Sequence, residues 1–369
     1  MLDRTAARTL RLQEAGLLLV VLLLGALITL SADTLDLRGQ RVNAFLRWDN
    51  LLANVATPMS WMAIMALGAT AVIVAGGIDI SVGSIFGLSA LGTAAVLQQL
   101  PPDTGLLPAL GAAAAVALGI GLACGLLNGA LVVGLRLHPF IVTLGTLSIF
   151  RGIGLVSVRT KTLPDLGREL PSSFTEDFVG WRWVLDAAPG GAGGGAAAAN
   201  FVQPVPMLAM LGCAAFFWLL LAHTVSGREI YAVGGNEEAA RYAGLRVGRI
   251  KLRVYALSGL CAGLAGLLSC GFYQSANTAT GEGYELAVIA AAVVGGASLQ
   301  GGRGTALGAV LGALVIKLIE NGIDIVRRVD LGLFTLSVSK EYGKIIIGVA
   351  ILLAVAVDRL AERWRGASG

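Results

Sequence analysis

A carboxylate set among glycines in an otherwise apolar chain is the first place to look for chemistry. The segment Gly76-Gly77-Ile78-Asp79-Ile80-Ser81-Val82-Gly83-Ser84 lies between two long hydrophobic runs. Its glycines break one helix, and Asp79 or Ser81 can cap the next. An acid close to a membrane is costly and is a functional suspect by default; the alternative is a plain helix cap at the interface. A second segment, Asn236-Glu237-Glu238-Ala239-Ala240-Arg241-Tyr242-Ala243-Gly244-Leu245, sits in the most basic connection of the chain. It reads as a helix of about two turns, roughly 10 Å long. Asn236 is a good N-cap, Glu237 and Glu238 suit the positive end of the helix dipole, and Gly244 can take the left-handed C-terminal position. Ala239 and Ala240 leave a smooth face that a partner's cleft could grip. The alternative is an ordinary capped helix in a loop.

Catalytic patterns are missing. There is no Gly-x-x-x-x-Gly-Lys-Ser/Thr phosphate loop, so the chain is not expected to hydrolyse ATP, and no Ser-His-Asp or zinc-helix arrangement is seen. His138 and His223 fall at the ends of apolar runs. Cys124, Cys213, Cys261 and Cys270 lie inside such runs without metal-knuckle spacing, and read as small buried hydrophobes; no metal is expected.

The elements that must position these segments are set by composition. Of 369 residues, 56% are hydrophobic and 14% charged, against about 25% charged in a soluble domain. The mean hydropathy is +0.79. Apolar content spread along the whole chain implies lipid as the solvent. The charges fall in gaps between apolar runs, which argues against a nucleic-acid partner.

With about 20 apolar residues per crossing, the chain predicts an all-α polytopic bundle, one transmembrane domain over 1–369, with about ten spans. These are Ala15–Leu30, Leu52–Ala75, Ile80–Gln99, Leu106–Leu135, Pro139–Val158, Val205–His223, Leu252–Tyr273, Tyr284–Val294, Thr305–Glu320 and Tyr342–Val357. The eighth is short enough to be re-entrant. Arginines precede the first run, but no good cleavage site follows it, so an uncleaved first helix is expected.

Lys and Arg concentrate in the tail 1–14, in the loop 224–251 and after Val357; the positive-inside rule places all three, and both termini, in the cytoplasm. The loop 159–203, of mixed charge, then faces the periplasm. Within it, Ala187–Asn200 is a low-complexity glycine-alanine stretch that reads as a flexible insertion. Glycines recur every fourth residue at Gly121, Gly125 and Gly129, at Gly259 and Gly263, and at Gly304, Gly308 and Gly312, and predict seams of close helix packing. Ala75-Gly76-Gly77 and Val294-Gly295-Gly296 end two runs alike, too briefly to indicate a duplication.

The stretch Tyr231 through Gly244 resembles the coupling segment of ABC sugar permeases of the ribose/xylose type, with Glu238, Ala239, Ala240 and Gly244 carrying the importer signature. Gly76–Gly83 resembles the family's "Gly-Gly-Ile-Asp-Leu-Ser-Val-Gly", with Ile80 for leucine. Pro139–Leu147 and Gly283–Thr305 extend the likeness, which runs from about Leu51 to Asp358. The glycine-alanine insertion and a longer charged loop Asp324–Lys344 depart from it.

The resemblance implies an inner-membrane permease subunit importing a simple sugar of the pentose or hexose class. Its partners would be a cytoplasmic ATPase, a periplasmic sugar-binding protein, a second permease copy or a homologous one, and membrane lipid. ATP and Mg would be used by the ATPase, with no cofactor bound here. Gly235, Asn236, Glu237, Glu238, Ala239, Ala240 and Gly244 would couple to the ATPase. A sugar offers hydroxyls, so Asp79, Ser81, Asn128, Thr143, Thr146, Glu285 and Asn321 are candidates for its route, although Ser and Thr in membrane helices commonly bond backbone instead. Alternatives are a nucleoside or branched-chain amino acid as cargo, or an ion-driven secondary transporter, which would want a paired intramembrane acid and base.

Overall fold

With no water to bond them, backbone groups in lipid must be satisfied within their own segment, and apolar runs therefore become helices. The computed structural model describes residues 4–35, 41–158, 160–186 and 200–325, with 328–330, 335–337 and scattered positions between 342 and 356. In chain order the helices are α1 (Arg4–Ser31), α2 (Thr57–Val74), α3 (Val82–Leu97), α4 (Leu106–Leu135), α5 (Pro139–Ser157) and the single turn α6 (Ser172–Phe174). They continue with α7 (Pro204–His223), α8 (Val225–Gly235), α9 (Glu237–Tyr242), α10 (Val247–Tyr273), α11 (Tyr284–Val294) and α12 (Ala306–Ile325). Among the described residues seven helices are long and apolar enough to cross a membrane, and α3 and α11 are shorter apolar helices. The eighth expected span is α11, whose 11 residues reach only about 16 Å. The described residues of the tenth, between 342 and 356, are helical. Most of the glycine-alanine stretch, at 187–199, lies outside the described residues, as does the tail beyond 356.

The helices do not contribute equally. Every residue of α2 is buried, and α10, α12, α7 and α11 pack around it. By contrast, α4, α5 and α7 turn Leu, Ile, Phe and Trp side chains outward, Leu122, Ile149 and Trp218 among them, which is the face expected toward lipid chains. Sequence reading started α2 at Leu52. In the structure a wide helical turn, Asn50–Ala56, leads into it, pinned by paired amides: Asn50 Nδ2 donates to Asn321 Oδ1 at 3.0 Å and Asn321 Nδ2 to Asn50 Oδ1 at 2.8 Å.

The glycine ladders meet one another. A Cβ on Gly121 or Gly125 would strike the backbone of Gly259 or Tyr255, and one on Gly263 the carbonyl of Ala117, so α4 and α10 touch backbone to backbone. Gly308 and Gly312 meet Gly295 and Ala291 in the same manner, joining α12 to α11. Without a hydrophobic drive between helices in lipid, such close approach gives packing its strength. At one end of the bundle the loop 160–186 covers the turns 98–104 and 274–283; Leu163 and Thr162 pair with Ala276 and Asn277, and Ser172 N donates to the Pro102 carbonyl. Helices α8 and α9 occupy the other end.

Candidate functional site

Asp79 lies just ahead of α3 and is 2% exposed. Its Oδ1 accepts from Ser81 N at 3.0 Å and Ser81 Oγ at 2.7 Å, and its Oδ2 from Ser258 Oγ on α10 at 3.0 Å. Asn128 Nδ2 on α4 donates to Ser81 Oγ at 2.7 Å and, at 3.4 Å, to Asp79 Oδ1. The Tyr255 hydroxyl of α10 donates to the Ile78 carbonyl at 3.2 Å, and Thr143 Oγ1 of α5 reaches that same oxygen at 3.3 Å. A buried carboxylate is tolerable only when its oxygens are paired, and here three elements supply the donors. Asp79 therefore serves as the knot that ties the break between α2 and α3 to α4 and α10, and the Ser81 hydroxyl is spent on Asp79 rather than on capping α3.

Of the seven residues proposed for a sugar route, Asp79, Ser81, Asn128 and Thr143 are thus brought together, and Thr146 sits one turn away, bonding the Thr143 carbonyl at 3.4 Å. All five are buried; the first four tie helices to one another, and Thr146 bonds only its own helix. Glu285, at the start of α11, makes no hydrogen bond to this group; its Oε1 accepts from Gly283 N at 3.2 Å, and its Oε2 lies against Gly83 of α3. Asn321 is far along α12 in the amide pair with Asn50. Ser258 and Tyr255 were not singled out from the sequence: both are polar residues of one apolar span, and only the fold shows that Ser258 meets Asp79 and Tyr255 the Ile78 carbonyl.

The second region is the end carrying α8 and α9. Asn236 caps α9, its Oδ1 accepting from Ala239 N at 2.9 Å. Gly244 has φ +84°, the left-handed turn that ends the helix, and Leu245 N closes it on the Ala240 carbonyl at 3.0 Å. Glu237 pairs with Lys251 at 2.6 Å and Arg241 at 3.0 Å; the Lys251 hydrogen bond, foremost, holds its carboxyl below the usual range. Glu238, Ala239 and Arg241 are exposed, and Tyr242 is 90% exposed. Ala240 is buried, so it anchors the helix to its own chain and only Ala239 of the alanine pair is presented outward.

What anchors α9 is a contact made of glycine. Gly234, at the end of α8, lies where a Cβ would strike the Val74 carbonyl at the end of α2 and Gly302 N at 2.7 Å. Gly302 N itself donates to the Val74 carbonyl at 2.9 Å. The Tyr231 hydroxyl, one turn back on α8, donates to the Gly304 carbonyl at 2.6 Å. Two chain breaks, Ala75–Ser81 and Gly295–Thr305, therefore clasp the chain immediately before α9. Gly234 was not among the candidates; its neighbour Gly235 was, yet a Cβ on Gly235 meets nothing. Among the described residues no cluster of His, Cys, Asp and Glu could hold a metal ion.

Comparison with known proteins matches this architecture to transport subunits. The chain is 37% identical over 309 residues to the ribose import permease protein of Escherichia coli (strain K12), covering 84% of this chain and 85% of that one. It is 35% identical over 314 residues to the D-allose transport system permease protein of the same organism, covering 85% of each. With the galactose/methyl galactoside import permease protein of that strain it shares 34% identity over 358 residues, 95% of both chains. A family model matches residues 51–355, close to the limits of the resemblance read from the sequence, and the chain belongs to the family described as branched-chain amino acid transport system / permease component.

Proposed function

We propose that this chain is the membrane-spanning subunit of an ABC importer for a simple sugar in the bacterial inner membrane. In this reading it pairs with a second copy or a homologous permease. Helix α9 seats on a separate cytoplasmic ATPase that uses the ATP and Mg, and the loop 160–186 at the opposite end receives a periplasmic sugar-binding protein. The tail 1–14, the loop 224–251 and both termini lie in the cytoplasm, and this chain binds no cofactor. What supports a sugar cargo is that the relatives named above carry ribose, allose and galactose in their names.

The observation that carries the coupling reading is the clasp at Gly234. A short capped helix presenting Glu238, Ala239 and Tyr242 is joined, with no side chain between, to the ends of α2 and α12. Motion imposed on α9 passes to those helices as backbone displacement, because packed backbones are not compressible. ATP-driven closure of the ATPase then becomes rearrangement of α2, α3, α11 and α12, which is the alternating access such transport needs.

The test is uptake into vesicles carrying the complete transporter. Wild type is expected to take up sugar only with ATP. Gly234→Ala is expected to lower uptake at least tenfold while the ATPase stays bound, whereas Gly235→Ala next to it retains it; Glu238→Arg is expected to release the ATPase. Equal uptake by both glycine variants would refute the clasp, and uptake collapsing with an ionophore but not without ATP would refute the ABC reading. The family description favours a second cargo, a branched-chain amino acid; competition by leucine but not by ribose, allose or galactose would establish it.

A further inference from the structure

The face of α12 that carries charge has no place in lipid. Lys317 Nζ and Glu320 Oε2 pair at 3.0 Å, with side chains 15% and 30% exposed. Asp324, exposed, continues the row, and positions 317, 320 and 324 share one helix face. Another face of α12 is occupied: Gly322 abuts Ile28 of α1, and Asn321 is held by Asn50. Lys317 stands eight residues before Ile325 and Glu320 five, about 12 Å and 8 Å from that end of the helix, so the pair lies within the second half of α12. A charged side chain turned toward lipid from within a helix is costly. Of the helices whose outer faces are apolar, α4 and α7 contain no Asp, Glu, Lys or Arg, and the one such residue of α5, Arg151, is turned onto the Thr280 and Gly281 carbonyls. The partly exposed pair on α12 must therefore face water or protein.

Aromatic rings gather beside it. Tyr273, at the end of α10, is 54% exposed and packs edge-on against Trp61 at 5.7 Å. Tyr284, at the start of α11, stacks on Phe86 at 5.4 Å. α11 lies antiparallel to α12, Ala291 against Gly312 and Gly295 against Gly308, a register that carries Tyr284 to the level of Glu320, and Tyr273 stands on Trp61 of α2, the helix that packs against both. The arrangement unites a carboxylate that accepts, an ammonium that donates, and aromatic faces with polar tips. A molecule with several neighbouring hydroxyls and an apolar C–H face suits all three.

We propose that Tyr273, Tyr284, Lys317 and Glu320 line the outer half of the translocation path and bind the sugar there. In this site the Glu320 carboxylate accepts from sugar hydroxyls, Lys317 donates to a sugar oxygen, and a tyrosine ring covers the C–H face. The proposal deepens the sugar-permease reading and rests on it for the cargo, but not for the exposure of the face to water.

The experiment uses the complete transporter in vesicles, with Cys213→Ala as background, and treats Glu320→Cys and Leu211→Cys separately with a membrane-impermeant maleimide. Leu211 is an outward residue of α7, 55% exposed. Glu320→Cys is expected to label and to be protected at least fivefold by ribose, allose or galactose, while Leu211→Cys stays unlabelled. Glu320→Gln, which keeps the shape of the side chain, is expected to raise the KM for sugar about tenfold while ATPase binding is unchanged. Failure of Glu320→Cys to label, or a normal KM in a well-assembled Glu320→Gln, would overturn the proposal. So would cross-linking of Glu320→Cys between two copies without sugar protection, which would make the face a subunit contact. Protection by leucine alone would overturn the cargo together with the sugar reading, and is distinguishable from loss of the site because labelling persists.

Discussion

The two breaks that clasp Gly234 begin alike and are held differently. Ala75-Gly76-Gly77 leads into Asp79, whose carboxylate gathers donors from Ser81 and Ser258. Gly295-Gly296 leads into Ala297-Ser298, and that break is closed by backbone bonds, Ser298 N to the Arg303 carbonyl at 3.0 Å and Gly301 N to the Ser298 carbonyl at 2.8 Å, with Gly301, Gly302 and Gly304 all at positive φ. One break is fixed by a buried carboxylate that reaches as far as α10, 179 positions on in sequence. The other is fixed by local backbone conformation that glycine alone adopts cheaply. The difference teaches that the same turn can be stabilised at long range or at short range, and that the two should fail in different ways.

Four substitutions or conditions separate those modes. The largest effect is expected from Asp79→Ala, which leaves the buried Ser81 and Ser258 donors without an acceptor and should cost about 3–5 kcal/mol. The variant should lose its monodisperse peak in detergent, and a protein with wild-type thermal stability would show that the knot is dispensable. Gly302→Ala should cost about 1–2 kcal/mol for its left-handed φ of +72°, and its Cβ would press on Gly235 Cα at 3.0 Å. Here the signature is lost transport with the fold retained, the reverse of Asp79→Ala.

Ser258→Ala removes a single donor from Asp79 and is expected to cost about 1 kcal/mol, seen as a small fall in melting temperature that disappears when Asp79 is already replaced. The smallest effect is pH-dependent. Glu237 is held below its ordinary value chiefly by Lys251, so its contribution to anchoring α9 is present above the unfolded value of about 4.3 and fades as pH falls below that. Hydrogen exchange of the α9 amides should accelerate relative to α10 in that acidic window and be flat above it; equal protection throughout would remove the ion pair from the anchoring.

Much of this arrangement was legible in the sequence. The apolar runs gave the helices because lipid permits little else, and the Asn236 cap and the left-handed Gly244 were readable from local chemistry. The glycine ladders were readable as seams, though not as partners of each other. What stayed hidden was long-range. Ser258 meets Asp79 across 179 positions and Asn321 meets Asn50 across 271, and nothing in a single sequence pairs them. The burial of α2 was equally hidden, since a helix apolar on every side shows no face that could be assigned to protein or to lipid.

That same helix has a consequence for synthesis. The chain emerges from its N-terminus, and α2 is finished 251 residues before α12, whose last residue is Ile325 against Val74. At about 5–20 residues per second the wait is on the order of 10–50 s. Until α7 and α10 are made, the helix destined for the centre of the bundle has only lipid around most of its circumference. Its Thr57 and Ser60 hydroxyls bond the Leu52 and Ala56 carbonyls at 2.8 and 2.9 Å, within its own lead-in turn, so these two groups need no neighbour in the interval. The core of this protein is thus built from a segment that can stand alone in the bilayer until α10 and α12 arrive to enclose it.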